Sequence, residues 1–144
     1  MKTAMDIIKK MQLEMVSVPA ETTIFEALQI MVELKIGAIL IMEEHEILGI
    51  WTERDLMYNS IQPDFVPRTA RISDYMSTNL KTVPHTASIY NLMDRFLDLG
   101  IRHLLIEKNG KCISLLSIRD IVKACLDEKT KEIEDLNSRL RQVF

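Results

Sequence analysis

Gly49-Ile50-Trp51-Thr52-Glu53-Arg54-Asp55 is matched, 65 positions on, by Ser114-Leu115-Leu116-Ser117-Ile118-Arg119-Asp120. Both stretches run small residue, two apolar residues, hydroxyl, any residue, Arg, Asp. Working outward at the same offset, Val18-Pro19 falls on Val83-Pro84, Ile24 on Ile89, Leu34 on Leu99 and Ile36 on Ile101. Leu40-Ile41 falls on Leu105-Ile106, and upstream Ile7 and Met11 fall on Ile72 and Met76. From Ile7 to Leu56, 11 of 50 aligned positions are identical, where average residue usage gives about 3. Conservative pairs such as Phe25/Tyr90, Ile39/Leu104 and Leu56/Ile121 add to these. The chain is a gapless internal duplication.

The two copies carry the same pattern of elements. Ile24, Ala27, Leu28, Met31, Val32 and Leu34 recur at helical spacing, as do Ile89, Leu92, Met93, Phe96, Leu97 and Leu99. Thr23 and Ser88 are placed to cap those helices, and Gly100 to end the second. Short apolar runs follow, Ala38 to Met42 and His103 to Ile106, of strand rather than helix length. Then come a polar turn, Glu43-Glu44-His45 or Asn109-Gly110, and a second strand, Ile47 to Trp51 or Cys112 to Leu116. A helix begins near Thr52 or Ser117. With a short strand near Val16-Ser17-Val18 or Lys81-Thr82-Val83, each unit reads β-α-β-β-α. The expected fold is α+β: two tandem repeats packed about a pseudo-two-fold axis, so that each covers a sheet face the other cannot hide. The expected boundaries are 1–60, a connector at 61–71 carrying Pro63 and Pro67, 72–126, and a C-terminal helix at 127–144.

Composition narrows the function classes. The 144 residues are 47% hydrophobic, enough for a core, and the net charge is −3, which disfavours a nucleic-acid binder with a basic face. No apolar run approaches the length of a membrane span, and residues 1–10 do not form a signal peptide. A cytoplasmic protein is expected, with Cys112 and Cys125 as buried free thiols. No Cys/His spacing suggests a zinc site. No nucleophile-base-acid set or Gly-rich phosphate loop is present, so an enzyme is not expected. The nine methionines and Trp51 read as core packing, and His45 and His85 as turn and surface residues. His103 reads either as the polar edge of a strand or as a phosphate neighbour.

The doubled turn supports two readings. Thr52-x-x-Asp55 and Ser117-x-x-Asp120 are capping boxes with Asp in place of Glu, which stabilise a helix start and need no ligand. The same geometry presents backbone N–H groups at a helix N-terminus, suited to a phosphate. Arg54 and Arg119 add a fixed charge and a fork of donors. The carboxylates of Asp55 and Asp120 can accept from ribose hydroxyls, as acidic residues do in dinucleotide folds. A cap alone would not need the Arg.

The repeat, the [Thr/Ser]-x-Arg-Asp ends and the stretch Gly100-Ile101-Arg102-His103-Leu104-Leu105-Ile106 closely resemble CBS domains, over roughly residues 1–126. The resemblance implies a regulatory pair of repeats, forming a homodimer, with two clefts for an adenine nucleotide: AMP, ADP, ATP, NAD or S-adenosylmethionine. It implies that Thr52 and Ser117 contact phosphate and that Asp55 and Asp120 hold the ribose. By the same analogy each cleft borrows from the other repeat. Thr52 and Asp55 would work with Met76, Lys81, Arg102 and His103, and Ser117 and Asp120 with Met11, Val16, Gly37 and Ala38. Gly37-Ala38 stands where the second copy has Arg102-His103, so unequal sites are expected, with tighter anion binding beside Arg102. Leu40 and Leu105 replace the proline common in the family, and Ser114 replaces a glycine. The alternative is a structural or dimerisation module with empty clefts.

Beyond the repeat, Ile133, Leu136, Leu140 and Val143 fall at heptad spacing, with Asp135 and Arg139 a favourable i,i+4 pair. This tail reads as a helix lying on its own domain or on a dimer mate. The sharper expectation is an output helix, running past Phe144 into an effector domain or engaging an effector protein.

Overall fold

A computed structural model describes residues 2–143, so the expectation attached to Phe144 lies outside the described residues. The chain forms two compact units. One is Met15–Leu80; the other joins the chain up to Glu14 with everything from Lys81 onward.

In the first unit, β1 (Ser17–Val18) leads through α2 (Ile24–Leu34) to β2 (Ala38–Glu43), β3 (Glu46–Thr52) and α3 (Glu53–Ser60). A preceding helix, α1 (Ala4–Met11), belongs to the second unit, where β4 (Thr82–Pro84), α4 (Ile89–Leu99), β5 (His103–Lys108), β6 (Lys111–Ser117) and α5 (Ile118–Val143) repeat the pattern. Each sheet has three strands in the order β1-β2-β3 or β4-β5-β6, the first pair parallel and the second antiparallel. The register is the same in both. Ala38 pairs with Thr52 and His103 with Ser117, and a bulge falls after Ile41 and after Ile106. The α+β class and the β-α-β-β-α repeat expected from the sequence are present.

Local chemistry accounts for the element ends. Thr23 Oγ1 accepts from Glu26 N at 3.1 Å and Ser88 Oγ from Asn91 N at 3.2 Å, so both central helices start on a hydroxyl cap. Gly100 ends α4 at φ 61°, and Lys35 takes the equivalent left-handed position after α2 at φ 56°. The hairpin tips share one geometry but not one chemistry. Asn109 and Gly110 sit at φ 52° and 78°, whereas Glu44 and His45 hold φ 49° and 68° with side chains that disfavour it.

The leading segments are exchanged between repeats. Ile72, in a 3₁₀ turn at Ile72–Asp74, is fully buried in the core of the first unit with Val18, Ile24, Ile39, Ile41 and Trp51. Its repeat partner Ile7, on α1, is buried in the core of the second with Val83, Ile89, Phe96, Leu104 and Leu116. The connector follows α3 directly and docks on the unit it has just left, through Ile24 N to Ala70 O at 2.9 Å and Ile72 N to Thr22 O at 2.8 Å. That leaves the matching place in the second unit to the start of the chain, through Ala4 N to Ala87 O at 2.9 Å. The compact units thus do not follow the expected boundaries of 1–60 and 72–126 along the chain: the segment up to Glu14 belongs with Lys81 onward, and the connector stays with Met15–Leu80.

The C-terminal helix is not separate. The helix that begins after Ser117 and the heptad tail form one element, α5, of 26 residues. No Gly or Pro occurs between Ile118 and Val143 to break it.

Converting the first tip to the chemistry of the second, Glu44→Asn with His45→Gly, should stabilise the protein by about 1 kcal/mol. Guanidinium unfolding would measure this, and an unchanged or lowered midpoint would contradict the turn assignment.

Candidate functional site

Each unit places a strand-to-helix turn at the end of its hairpin. Pairing of Ala38 with Thr52 brings the start of β2 beside the start of α3, and Glu53 N donates to Gly37 O at 2.9 Å. The second unit repeats this with His103 and Ser117, and Ile118 N donates to Arg102 O at 2.8 Å. Trp51 fixes the first turn from behind. It is fully buried, and its Nε1 donates to Asn59 Oδ1 at 2.9 Å, tying α3 back to β3. Trp51 is thus a core residue, and Asn59, unmarked by any sequence pattern, is its buried partner.

The caps are complete in both copies. Asp55 Oδ2 accepts from Thr52 N at 2.9 Å and Thr52 Oγ1 at 3.1 Å, while Asp55 N donates to Thr52 Oγ1 at 3.2 Å. Asp120 Oδ2 accepts from Ser117 N at 2.9 Å, and Asp120 N donates to Ser117 Oγ at 3.1 Å. The sequence suggested a row of free N–H groups at each turn. The structure corrects this, because the carbonyls of Gly37 and Arg102 and the two hydroxyls take most of them. Among the described hydrogen bonds, the N–H groups of Arg54 and Arg119 have no partner, nor have Oδ1 of Asp55 and of Asp120. The Ser117 hydroxyl proton is likewise uncommitted, whereas that of Thr52 is held by Asp55.

A third box shows what a cap alone requires. Thr3 N donates to Asp6 Oδ2 at 2.9 Å at the head of α1, and this bond holds the Asp6 carboxyl below the usual carboxylate range. Its sequence, Thr3-Ala-Met-Asp6, has no Arg. Arg54 and Arg119 are exposed, and no ion pair among the described residues involves them or Arg102.

The remaining expected site residues divide between the units. Val16, Gly37, Ala38 and Met76 lie in the unit of Thr52 and Asp55; Met11, Lys81, Arg102 and His103 lie in that of Ser117 and Asp120. The structure brings Gly37-Ala38 to Thr52 and Arg102-His103 to Ser117. Of the crossed assignments implied by the resemblance, Met76 with Thr52 and Met11 with Ser117 fall within one unit, whereas those of Lys81, Arg102 and His103 to Thr52, and of Val16, Gly37 and Ala38 to Ser117, join residues of different units. Val16 and Lys81 have a backbone role, their carbonyls accepting from Leu40 N at 3.0 Å and Leu105 N at 2.9 Å. Met11 and Met76 pack against the cores of their own units.

Gly49 and Ser114 differ for a physical reason. A Cβ on Gly49 would lie 2.7 Å from Met76 Sδ and from Ser77 O, because Ser77 exchanges both backbone bonds with Ile50, at 2.8 and 2.9 Å. Ser114 has room for its side chain; it is fully buried, and its hydroxyl has no described partner. Cys112 and Cys125 are free and half-buried rather than fully buried. Burial pushes both thiols up, aided by Glu107 for Cys112 and by Glu128 for Cys125, which keeps them protonated and weakly nucleophilic. Among the described residues no cluster of three His, Cys, Asp or Glu could hold a metal, and no helix is long and apolar enough to cross a membrane.

Removing a cap hydroxyl, Thr52→Ala or Ser117→Ala, should cost about 1 kcal/mol of stability each. Urea unfolding would measure this, and a loss within error of zero would show that the boxes do not hold the helices.

The model of the CBS domain matches residues 4–61 and 72–127. An uncharacterized 17.7 kDa protein of Acidianus ambivalens is 32% identical over 117 residues, covering 80% of this chain and 70% of that protein. A crystal structure of a CBS-domain containing protein from Agrobacterium tumefaciens superposes with a TM-score of 0.79 at 28% identity, over 85% of this chain and 92% of that one. A structure of CBSX2 in complex with AMP gives a TM-score of 0.73 at 19% identity, over 90% and 99%. Other curated relatives are longer, and the chain spans 22% to 63% of their lengths.

Proposed function

We propose, on the premise that the chain belongs to the CBS domain family, that it is a non-catalytic regulatory module, cytoplasmic, that binds an adenine nucleotide at its strand-to-helix turns. The observation that carries this reading is the unspent chemistry of each turn. One carboxylate oxygen and one main-chain N–H remain after the cap is made, and an Arg stands where a cap needs none.

In this reading, Oδ1 of Asp55 and of Asp120 accepts from ribose hydroxyls while Oδ2 keeps the helix capped. The N–H and guanidinium of Arg54 and Arg119 take phosphate oxygens at the positive end of the helix. Ser117 donates its hydroxyl proton, and Arg102, just ahead of β5 and bonded through its carbonyl to Ile118 N, adds charge that Gly37 cannot supply. The second-copy turn therefore binds the more highly charged phosphate group. Met11, Val16, Ala38, Met76, Lys81 and His103 are assigned to the surroundings of the base and phosphates. AMP is the first ligand to try, because it is the ligand named for CBSX2. ADP, ATP, NAD and S-adenosylmethionine share its adenosine.

Signalling follows from differential affinity: a ligand that binds one arrangement better shifts the population toward it. A homodimer is the assembly on which such a shift would act. Its support is a duplicated set of exposed apolar side chains, Val32 and Met57 on one unit and their repeat equivalents Leu97 and Val122 on the other. A scaffold with unfilled turns is the second reading, favoured by the Thr52 hydroxyl proton being spent inside its own cap.

Thermal unfolding with and without each nucleotide separates the two. Saturation at about 100 times the dissociation constant should raise the midpoint by about 5–10 °C. Asp55→Ala and Asp120→Ala should each remove part of that rise and the double variant all of it. No shift with any of the five nucleotides, or a full shift in the double variant, would leave the scaffold reading.

A further inference from the structure

Helix α5 carries an apolar stripe that its own unit leaves uncovered. Val122 is 42% exposed, Leu126 63%, Ile133 59%, Leu136 58%, Leu140 48% and Val143 75%. With Lys129 they form an unbroken heptad seam of alternating four- and three-residue steps. Every residue from Lys129 to Val143 is exposed. A helix this short would be marginal alone, but α5 is already ordered by packing of Ile121 and Ala124 into the core of its unit.

We propose that the seam from Leu126 to Val143 is covered by the same helix of a second copy of this chain, running antiparallel, with Ile133 opposite the partner's Leu136. Charge selects that register. It sets Leu126 against the partner's Val143 and Lys129 against the partner's Leu140, and it brings Glu132 beside the partner's Arg139 twice over, by symmetry. A parallel pair would stack Lys129 on the partner's Lys129 and set Glu132 beside the partner's Asn137, leaving no opposite charges. An antiparallel pair shifted by one heptad would put Glu132 against the partner's Glu132. Lys129 tolerates the seam because its ammonium is drawn aside, 3.2 Å from Glu132 Oε2 and 5.2 Å from the Tyr90 ring centre, leaving the apolar stem. The antiparallel sense also puts the two cores on which α5 is anchored at opposite ends of the paired helices. This contact is independent of nucleotide binding, and the paired part of the seam begins at Leu126, beyond Val122.

The test uses the 144-residue chain with Cys112 and Cys125 changed to Ser. One preparation carries Ile133→Cys and another Leu136→Cys; equal amounts are mixed, oxidised and mapped by peptide mass spectrometry. The mixed 133–136 disulfide should form in severalfold excess over either self-disulfide. An independent arm reads self-association by sedimentation at low salt. Glu132→Arg should weaken it about tenfold, and adding Arg139→Glu should restore it. Self-disulfides in excess, cross-linking no greater than that of Ser138→Cys on the opposite face, or association indifferent to Glu132→Arg would overturn the pairing.

Discussion

The hydrogen bond from the Thr52 backbone N–H to Asp55 Oδ2, repeated from Ser117 to Asp120 at the same 2.9 Å, is the constraint on which the molecule turns. It fixes the angle at which a helix leaves the last strand of each sheet. That angle sets the Arg that follows the hydroxyl on the outside of the turn, and it leaves the second carboxylate oxygen facing away from the cap. Under the proposed function, stability and recognition draw on different atoms of one side chain. The Thr3-Asp6 box, with the same bond and no Arg, shows the stabilising half on its own.

Duplication supplied two such turns, and divergence has made them unequal. The first unit is closed by the segment that follows its connector: Ser77 pairs with Ile50, and Gly49 is required because Met76 and Ser77 come too near for any side chain. The second unit tolerates Ser114 at that place, keeps the Ser117 hydroxyl proton free, and carries Arg102 where the first has Gly37. Its final helix also runs on, where α3 stops at Ser60. The differences cluster in the copy that bears the tail.

Much of this was legible in the sequence. The strands lie within a residue or two of where the apolar runs put them, because a short run bounded by turn residues leaves little choice of element. Gly100 and Asn109-Gly110 sit at positive φ as their chemistry demands. Other features could not be read. That Ile7 serves the second core and Ile72 the first depends on which copy each leading segment can reach, not on its pattern. The number of free N–H groups at the turns depends on sheet register, which brings the Gly37 and Arg102 carbonyls to Glu53 and Ile118. The fusion of helix and tail into α5 was hidden by the repeat itself, whose end suggested a boundary where the backbone has none.

The most direct measurement follows the backbone amides of the full chain by NMR while AMP is added. If the turns bind phosphate, the amides of Arg54 and Arg119 should move early and saturably, with their neighbours from 52 to 55 and from 117 to 120. Saturable shifts elsewhere with those two amides unmoved, or no shifts at all, would contradict the account.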